Sequence, residues 1–405
     1  MARRCARLAF CSLPLHPSRA QPAPPPPEIN LLAFANGALV ERVSSNYGGG
    51  WEAVWLTDEN PETGWAPEKD AKPPFEIVIS LPERSEIRRL AFDTARAESP
   101  ERTAKDVDIL VSDQSATVGF ALLASVVLRP GEDNQSFTPA APRTGRWVKL
   151  VVKSTHGSTE YAEIMDARAY GIALTNTPVP NVSGTYESTQ FGPFHVLQDG
   201  AQLTGCYEHK GGLLQGGVDA HLMRLRWKEE DNGEGPAVMV LTRDGKAFKG
   251  FWMRDAETVW NTGWDLRKVS AQVGSCPHWK PNSANAVMSG LAATGRVRLY
   301  GINFDTDRDT VRPDAAPALQ QILGALTANA AWRIVVEGHT DATGTADHNR
   351  DLSQRRAASV KTYLVKAGIA ADRIEVAGFG QERPVGPNET TLGRAQNRRV
   401  ELVKQ

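Results

Sequence analysis

Asp341 and Arg356 stand fifteen positions apart, the first just beyond an apolar run and the second inside a segment with helical spacing. A carboxylate and a guanidinium a few ångströms from one another form a receptor for a zwitterion. The anion holds an ammonium, and the planar fork grips a carboxylate through two parallel hydrogen bonds. His339 has the type of a general base, but neither a nucleophile nor a set of metal ligands accompanies it. Its expected part is to orient the loop by hydrogen bonding. Taken singly, Asp341 is also what caps a turn or a helix. The pair Arg355 and Arg356 is also what a solvated helix face carries.

These side chains need elements to position them, and the pattern around them supplies an order. Val297–Phe304 reads as a strand, and Pro313 and Asp314 open a helix whose apolar face includes Leu319, Ile322, Leu323 and Leu326. Trp332–Gly338 reads as a buried strand. His348–Ala367 reads as a second helix, with Leu352, Val360, Tyr363 and Leu364 toward the sheet and Gly368 as its stop. Ile374–Gly378 and Arg399–Val403 complete the strands, giving an α/β sandwich with helices packed on one sheet. Asp341 then sits in a strand–helix loop and Arg356 inside the following helix, and such a turn brings both to the sheet's edge.

Gly338–Asp341 (GHTD), Gly344, Asn349, Leu352 and Ser353 come first in a longer pattern. Arg356 and Ala357, Val360, Tyr363 and Leu364, Gly368 and Ile369, Gly378–Gly380 (GFG), Pro384, Gly393 and Arg394 continue it, and Asn397–Leu402 (NRRVEL) closes it. In order and spacing this resembles the OmpA-like domain, which binds peptidoglycan without a covalent bond, and the likeness fills essentially all of residues 290–405. The resemblance implies that the ligand is diaminopimelate of the stem peptide, whose side-chain end carries an ammonium and a carboxylate. It assigns the ammonium to Asp341 and the carboxylate to Arg356, the inward member of the arginine pair. Thr340, Asn349 and Leu352 are expected to shape the same pocket, and Arg398 or Arg399 to add positive potential.

Upstream, the chain is β-patterned. Residues 30–172 alternate with a period of two, as in Phe75–Leu81, Asp106–Ser112 and Arg146–Lys153, and are expected to form a β-sandwich. Asn30–Gly37 (NLLAFANG), Leu56–Asp58 (LTD), Thr63–Trp65 (TGW) and Ala169–Gly171 (AYG) resemble discoidin-type, galactose-binding-like jelly rolls. That likeness implies a glycan or protein ligand held by loops at one end of the sandwich. Trp51, Trp55 and Trp65 either line that loop surface or plug the core. Asp58, Glu59 and Glu62 read as a turn or a cation-binding loop.

Residues 181–275 place an aromatic beside glycine in Gly184–Tyr186, Gly205–Tyr207 and Gly250–Trp252. Asp-Gly turns lie at Leu197–Gly200 and Thr242–Gly245. A small barrel or a meander is expected, with Trp227, Trp252, Trp260 and Trp264 as packing. Linkers are expected over 172–180 and 270–290.

Residues 1–29 read as a leader with a proline-rich spacer, Pro22–Pro27. Its apolar stretch Leu8–Leu15 is short and broken by Pro14. Leu8–Cys11 (LAFC) is a loose lipoprotein box, so lipid attachment at Cys11 and a plain leader both stay open. With the leader removed, Cys206 and Cys276 remain, either bonded in an oxidising periplasm or as two thiols.

A net charge of -1 argues against nucleic acid as partner, and no apolar run reaches the ~18–20 residues of a membrane span. Neither a metal-ligand cluster nor a cofactor motif is found. The expected function is that of a non-enzymatic envelope protein, in the periplasm or at the outer membrane, that ties peptidoglycan to a β-rich ligand-binding region. The alternative is a wall- or carbohydrate-active enzyme targeted by its OmpA-like part; residues 30–290 show no convincing catalytic set for it.

Overall fold

Period-two runs become strands across the first half of the chain. The computed structural model describes residues 28–405 except 176, 178–180, 220, 256, 258, 280–285, 300–301, 303, 305–306 and 313–314. The leader, including Cys11, and the Pro313–Asp314 helix opening therefore lie outside the described residues.

The first sheet contains β1 (Ile29–Asn30), β2 (Leu39–Val43), β3 (Phe75–Asp93), β4 (Asp106–Ser112), β5 (Ala121–Val127), β6 (Gln135–Phe137), β7 (Arg143–Val152) and β8 (Asp166–Ala173). Their order is β1-β8-β3-β7-β4-β5, with β2 and β6 also on β3. The long β3 joins two layers. Its pairing with β7 shifts between Ser80 and Ser85; before the shift it pairs with β2, and after it with β8 and β6. Trp65, Phe75, Ile77, Ile109, Val148 and Leu150 fill the sandwich between them.

The middle region resolves the barrel-or-meander choice. β9 (Gly184–Ser188), β10 (Gly192–Asp199), β11 (Gln202–Tyr207), β12 (Gly212–Asp219), β13 (Leu222–Lys228), β14 (Glu234–Leu241), β15 (Ala247–Trp252) and β16 (Leu266–Ser270) form a closed antiparallel barrel. Closure comes from β16 pairing back onto β9, which removes free edges. The Asp-Gly turns fall between β10 and β11 and between β14 and β15, with Gly200 at φ 60° and Gly245 at φ 69°. Tyr186, Phe194, Tyr207, Trp227, Phe248 and Trp264 fill the interior. Cys206 on β11 is disulfide-bonded to Cys276, beyond β16.

The C-terminal region comprises α1 (Ala286–Thr294), β17 (Arg296–Leu299), α2 (Ala316–Ala328), β18 (Ile334–His339), α3 (Ala346–Lys366), β19 (Ile374–Gly378), α4 (Thr391–Asn397) and β20 (Arg399–Lys404). The sheet order is β17-β20-β18-β19; β18 and β19 run parallel and the other pairs antiparallel. Leu319, Ile322 and Leu326 of α2 and Val360 and Leu364 of α3 bury against Ile334, Val336, Ile374 and Leu402.

Three elements depart from the sequence reading. α1 begins inside the expected linker, where Val287 and Leu291 are buried at one-turn spacing. The seven-residue α4 was not anticipated; its apolar residues are few, and Thr390 caps it by accepting from the Gly393 N–H at 3.0 Å. α3 starts at Ala346 rather than His348, because Thr345 accepts from the His348 N–H.

A further apolar cluster belongs to no single sheet. Phe34 and Trp55 of the sandwich, Phe251 and Trp260 of the barrel region, and Leu392 and Ala395 of α4 meet in it. Phe251 lies with its ring centre 4.6 Å from that of Phe34 and 5.1 Å from that of Trp55. Trp65 is therefore core, Trp55 is junction and Trp51 is half-buried. Among the described residues no helix is long and apolar enough to cross a membrane.

Candidate functional site

β18 delivers Thr340 and Asp341 to the edge of the C-terminal sheet, and close packing against α3 holds that edge still. A side chain at Gly338 would meet the Ser353 carbonyl at 2.2 Å, so only glycine lets the strand approach the helix here. The Ser353 hydroxyl, in turn, accepts from the Gly380 N–H at 2.8 Å. Asn349 is buried on α3, and its Nδ2 donates to the carbonyls of Asp341 (3.2 Å) and Thr343 (3.0 Å) and to Gln381 Oε1 (2.8 Å). The loop conformation is thus fixed by side-chain bonds from the next helix.

Asp341 is itself largely buried. Arg398 Nη1 donates to its Oδ2 at 2.7 Å, and the Thr343 N–H donates to its Oδ1 at 2.9 Å. Burial pushes the carboxyl up, but Arg398 and the Thr343 bond outweigh it and hold the group below its ordinary value, so it is ionised at neutral pH. Arg356 lines the same cavity, of about 550 Å³, with Thr340, Asn349, Leu352 and Arg398. Its Nε donates to the Arg308 carbonyl at 2.9 Å, and its guanidinium lies over the Phe304 ring at 4.9 Å. Burial and the charge of Arg398 lower its pKa from the usual arginine value. Its neighbour Arg355 turns instead to Asp351 and Asp309.

Arg399 reaches the cavity wall but directs its guanidinium to Glu401 at 2.6 Å and to the Arg383 and Asn397 carbonyls. Its charge is taken up inside the sheet. His339 corrects an expectation. Both ring nitrogens are buried with no hydrogen-bond partner among the described residues, and the ring stacks on Phe379. Burial and the nearby Arg399 charge hold its pKa down to about 3, so it is a neutral packing group. Glu337, His339 and Glu401 lie close enough to suggest a metal, but Arg296 pairs with both carboxylates. Burial works against the Glu401 charge, yet Arg399 and Arg296 hold that carboxyl at about 2. This is a closed ion network.

The sequence reading missed other members of the site. Arg312, Asp307 and His348 line the cavity, as do Asn36 and Arg224 from far upstream. A run of patterned residues within one domain gives no signal for walls donated by others.

Two other regions invite comparison. On the sandwich loops, the exposed Tyr47 ring meets Tyr161 edge-on at 5.7 Å, and Arg102 lies over Tyr161 at 4.6 Å. At one end of the barrel, Phe191, Trp227, Trp252 and Trp264 surround a cavity of about 40 Å³.

Residues 303–398 match the OmpA family model, and residues 41–166 match that of the F5/8 type C domain. The peptidoglycan-associated lipoprotein of Mesorhizobium japonicum is 38% identical over 120 residues, 29% of this chain and 71% of that protein. Through this segment the chain belongs to the OmpA family. Outer membrane protein A of Bordetella avium is 44% identical over 99 residues, and outer membrane porin F of Pseudomonas fluorescens 42% over 111. These alignments take in 24% and 27% of this chain, and they span 51% and 34% of the two relatives' lengths.

Among solved structures, the OmpA-family segment is similar to the peptidoglycan-associated lipoprotein of Burkholderia pseudomallei (34% identity, TM-score 0.25, 26% of this chain and 88% of that one). The sandwich is similar to a family 32 carbohydrate-binding module from C. perfringens solved with galactose (16% identity, TM-score 0.31, 35% and 98%). Both matched domains are of types that are typically binding modules rather than catalysts.

Proposed function

We infer that this chain is a non-enzymatic cell-envelope protein, in the periplasm or at the outer membrane, that holds peptidoglycan through the diaminopimelate of its stem peptide. The observation that carries the reading is an ionised carboxylate at Asp341, paired with Arg398, sharing a cavity with Arg356. The carboxylate receives the ammonium of the ligand, and the Arg356 fork receives the adjacent carboxylate. Thr340, Asn349 and Leu352 keep the loop and floor in place, and Arg398 holds Asp341 in its charged form. The units of this reading are a sandwich over 30–172, a barrel domain over 181–275 and an α/β sandwich of OmpA type over 290–405. The sandwich supplies the second grip, a glycan or protein bound at the Tyr47–Tyr161 loops.

The test is co-sedimentation of the full chain with insoluble diaminopimelate-type peptidoglycan. The parent is expected in the pellet, and Asp341→Ala and Arg356→Ala in the supernatant. Removing one partner of a desolvated charge pair costs about 2–5 kcal/mol, so the loss should exceed roughly 30-fold. A folded parent that stays in the supernatant, or variants that sediment like it, would overturn the reading.

A further inference from the structure

The edge of a sheet is where a folded chain can still pair, because alternate N–H and C=O groups of an edge strand point away from its one neighbour. The barrel closes on itself and has no such edge. In the C-terminal sheet the edges are β17, which carries Arg296 and Arg298, and β19, which carries Glu375. In the sandwich, β1 has two residues and β6 three, and β2 carries Glu41 and Arg42. Each of these strands is short or charged, which discourages a second chain from adding to it.

β5 is different. It pairs with β4 alone, antiparallel, from Val127 opposite Asp106 to Ala121 opposite Val111. Among the described residues, the backbone of Ala121–Val127 makes no hydrogen bond to other backbone outside that ladder. The strand lies within Phe120–Leu128 (FALLASVVL), nine residues without a charge or a proline, the composition of a pairing strand. Leu123 and Val126 enter the sandwich core, whereas Leu122 and Val127 are 51% and 54% exposed. The register with β4 shifts between Ile109 and Leu110, so Leu123 is the extra residue of a bulge, and Ala124–Val127 continue in regular pairing beyond it. The bulge leaves both exposed apolar side chains in solvent.

We propose that β5 is a homodimer interface, at which the same strand of a second copy adds antiparallel and joins two sandwiches through one continuous sheet. The occupant is a second copy because the strand complements itself. A two-fold axis near Ala124 sets the start of one strand beside the end of the other, so Leu122 of each copy packs near Val127 of the other. No counter-charge is needed, since neither strand carries a charge. Each copy consumes its one long uncharged edge, so the assembly closes at two. The pair carries two Asp341 cavities, and its formation does not depend on what those cavities bind.

The test is sedimentation velocity of the full chain across a concentration series. The parent is expected to pass from monomer to dimer. Leu122→Lys and Val127→Glu alter exposed sites, so their circular dichroism should match the parent. Each should weaken association by roughly tenfold or more, because pairing would bury an uncompensated charge. Mixed in equal amounts, the two variants should recover the dimer, since antiparallel pairing sets the introduced ammonium of one copy beside the introduced carboxylate of the other. A parent that stays monomeric throughout overturns the proposal, as do folded variants that associate like the parent. Growth of the parent past the dimer overturns the closed pair, and failure of the mixture to recover overturns the antiparallel geometry.

Discussion

The barrel end and the C-terminal pocket are both concave, and both are walled by groups able to form hydrogen bonds, yet they are opposite kinds of space. At the barrel end the rings of Trp227, Trp252 and Trp264 lie 5.8–6.3 Å apart and leave about 40 Å³ between them. Their indole N–H groups are buried with no partner among the described residues. In the pocket, about 550 Å³ stays open, and Asn349 and Asp341 are each tied by several bonds. A small closed barrel aims alternate side chains at one axis, so large rings fill it. The pocket lies past the ends of β18 and β20, where loops take over from the strand ladders and leave donors and acceptors facing outward. Buried polar atoms therefore do not mark a site by themselves; room beside held and charged groups does.

The largest expected effect would break one region and spare the other. Trp264→Ala removes a ring that touches Phe194, Tyr207 and Trp227, and should cost about 3–5 kcal/mol in a denaturant melt of the barrel. Wall co-sedimentation of the remaining folded protein should be unchanged; a parallel loss of both would mean that the barrel end serves binding as well.

Acid should sharpen the contrast next. His339 is held down to about 3, against an ordinary 6.5 in the unfolded chain. The unfolded state therefore binds the extra proton between those values. The stability tied to the neutral ring is complete above pH 6.5 and is lost as pH falls toward 3, by about 3 kcal/mol between pH 7 and pH 4. His339→Phe should flatten that slope by one proton in pH-dependent melts, and a slope left as steep as before would sink the assignment. The smallest effect is at the lip of the pocket. Thr345→Ala removes the α3 cap and should cost about 1 kcal/mol, seen as a modest fall in melting temperature.

Much of the fold was legible because its signals are local. Alternation in Phe75–Leu81 and Asp106–Ser112 belongs to real strands, and the Asp199–Gly200 and Asp244–Gly245 turns sit where barrel strands reverse. The spacing from Gly338 to Leu402 predicts a strand–loop–helix turn that brings Asp341 and Arg356 to one sheet edge, and both line one cavity there. What stayed hidden depends on contacts between distant segments. α4 is stabilised by its cap and by its docking on the barrel and sandwich, and its sequence carries little apolar periodicity of its own. Arg224 and Asn36 lie more than a hundred residues from Asp341, and nothing near them in sequence marks them as its neighbours. His339 was misread because a histidine beside a binding loop suggests hydrogen bonding, whereas burial among arginines leaves it neutral and stacked.

The Cys206–Cys276 bond also decides how the molecule transmits tension. A pull on the C-terminal region travels back along the chain to Cys276 and crosses there to Cys206 on β11. The residues between the two cysteines, which hold β12 to β16, form a covalently closed loop and stand outside the covalent path of the force. Stretching the protein between the C-terminal region and the sandwich therefore cannot peel β16 from β9 by drawing on the tail that follows it. The covalent load falls on β9 to β11, and β13 and β14 are reached only through the non-covalent contacts of α4.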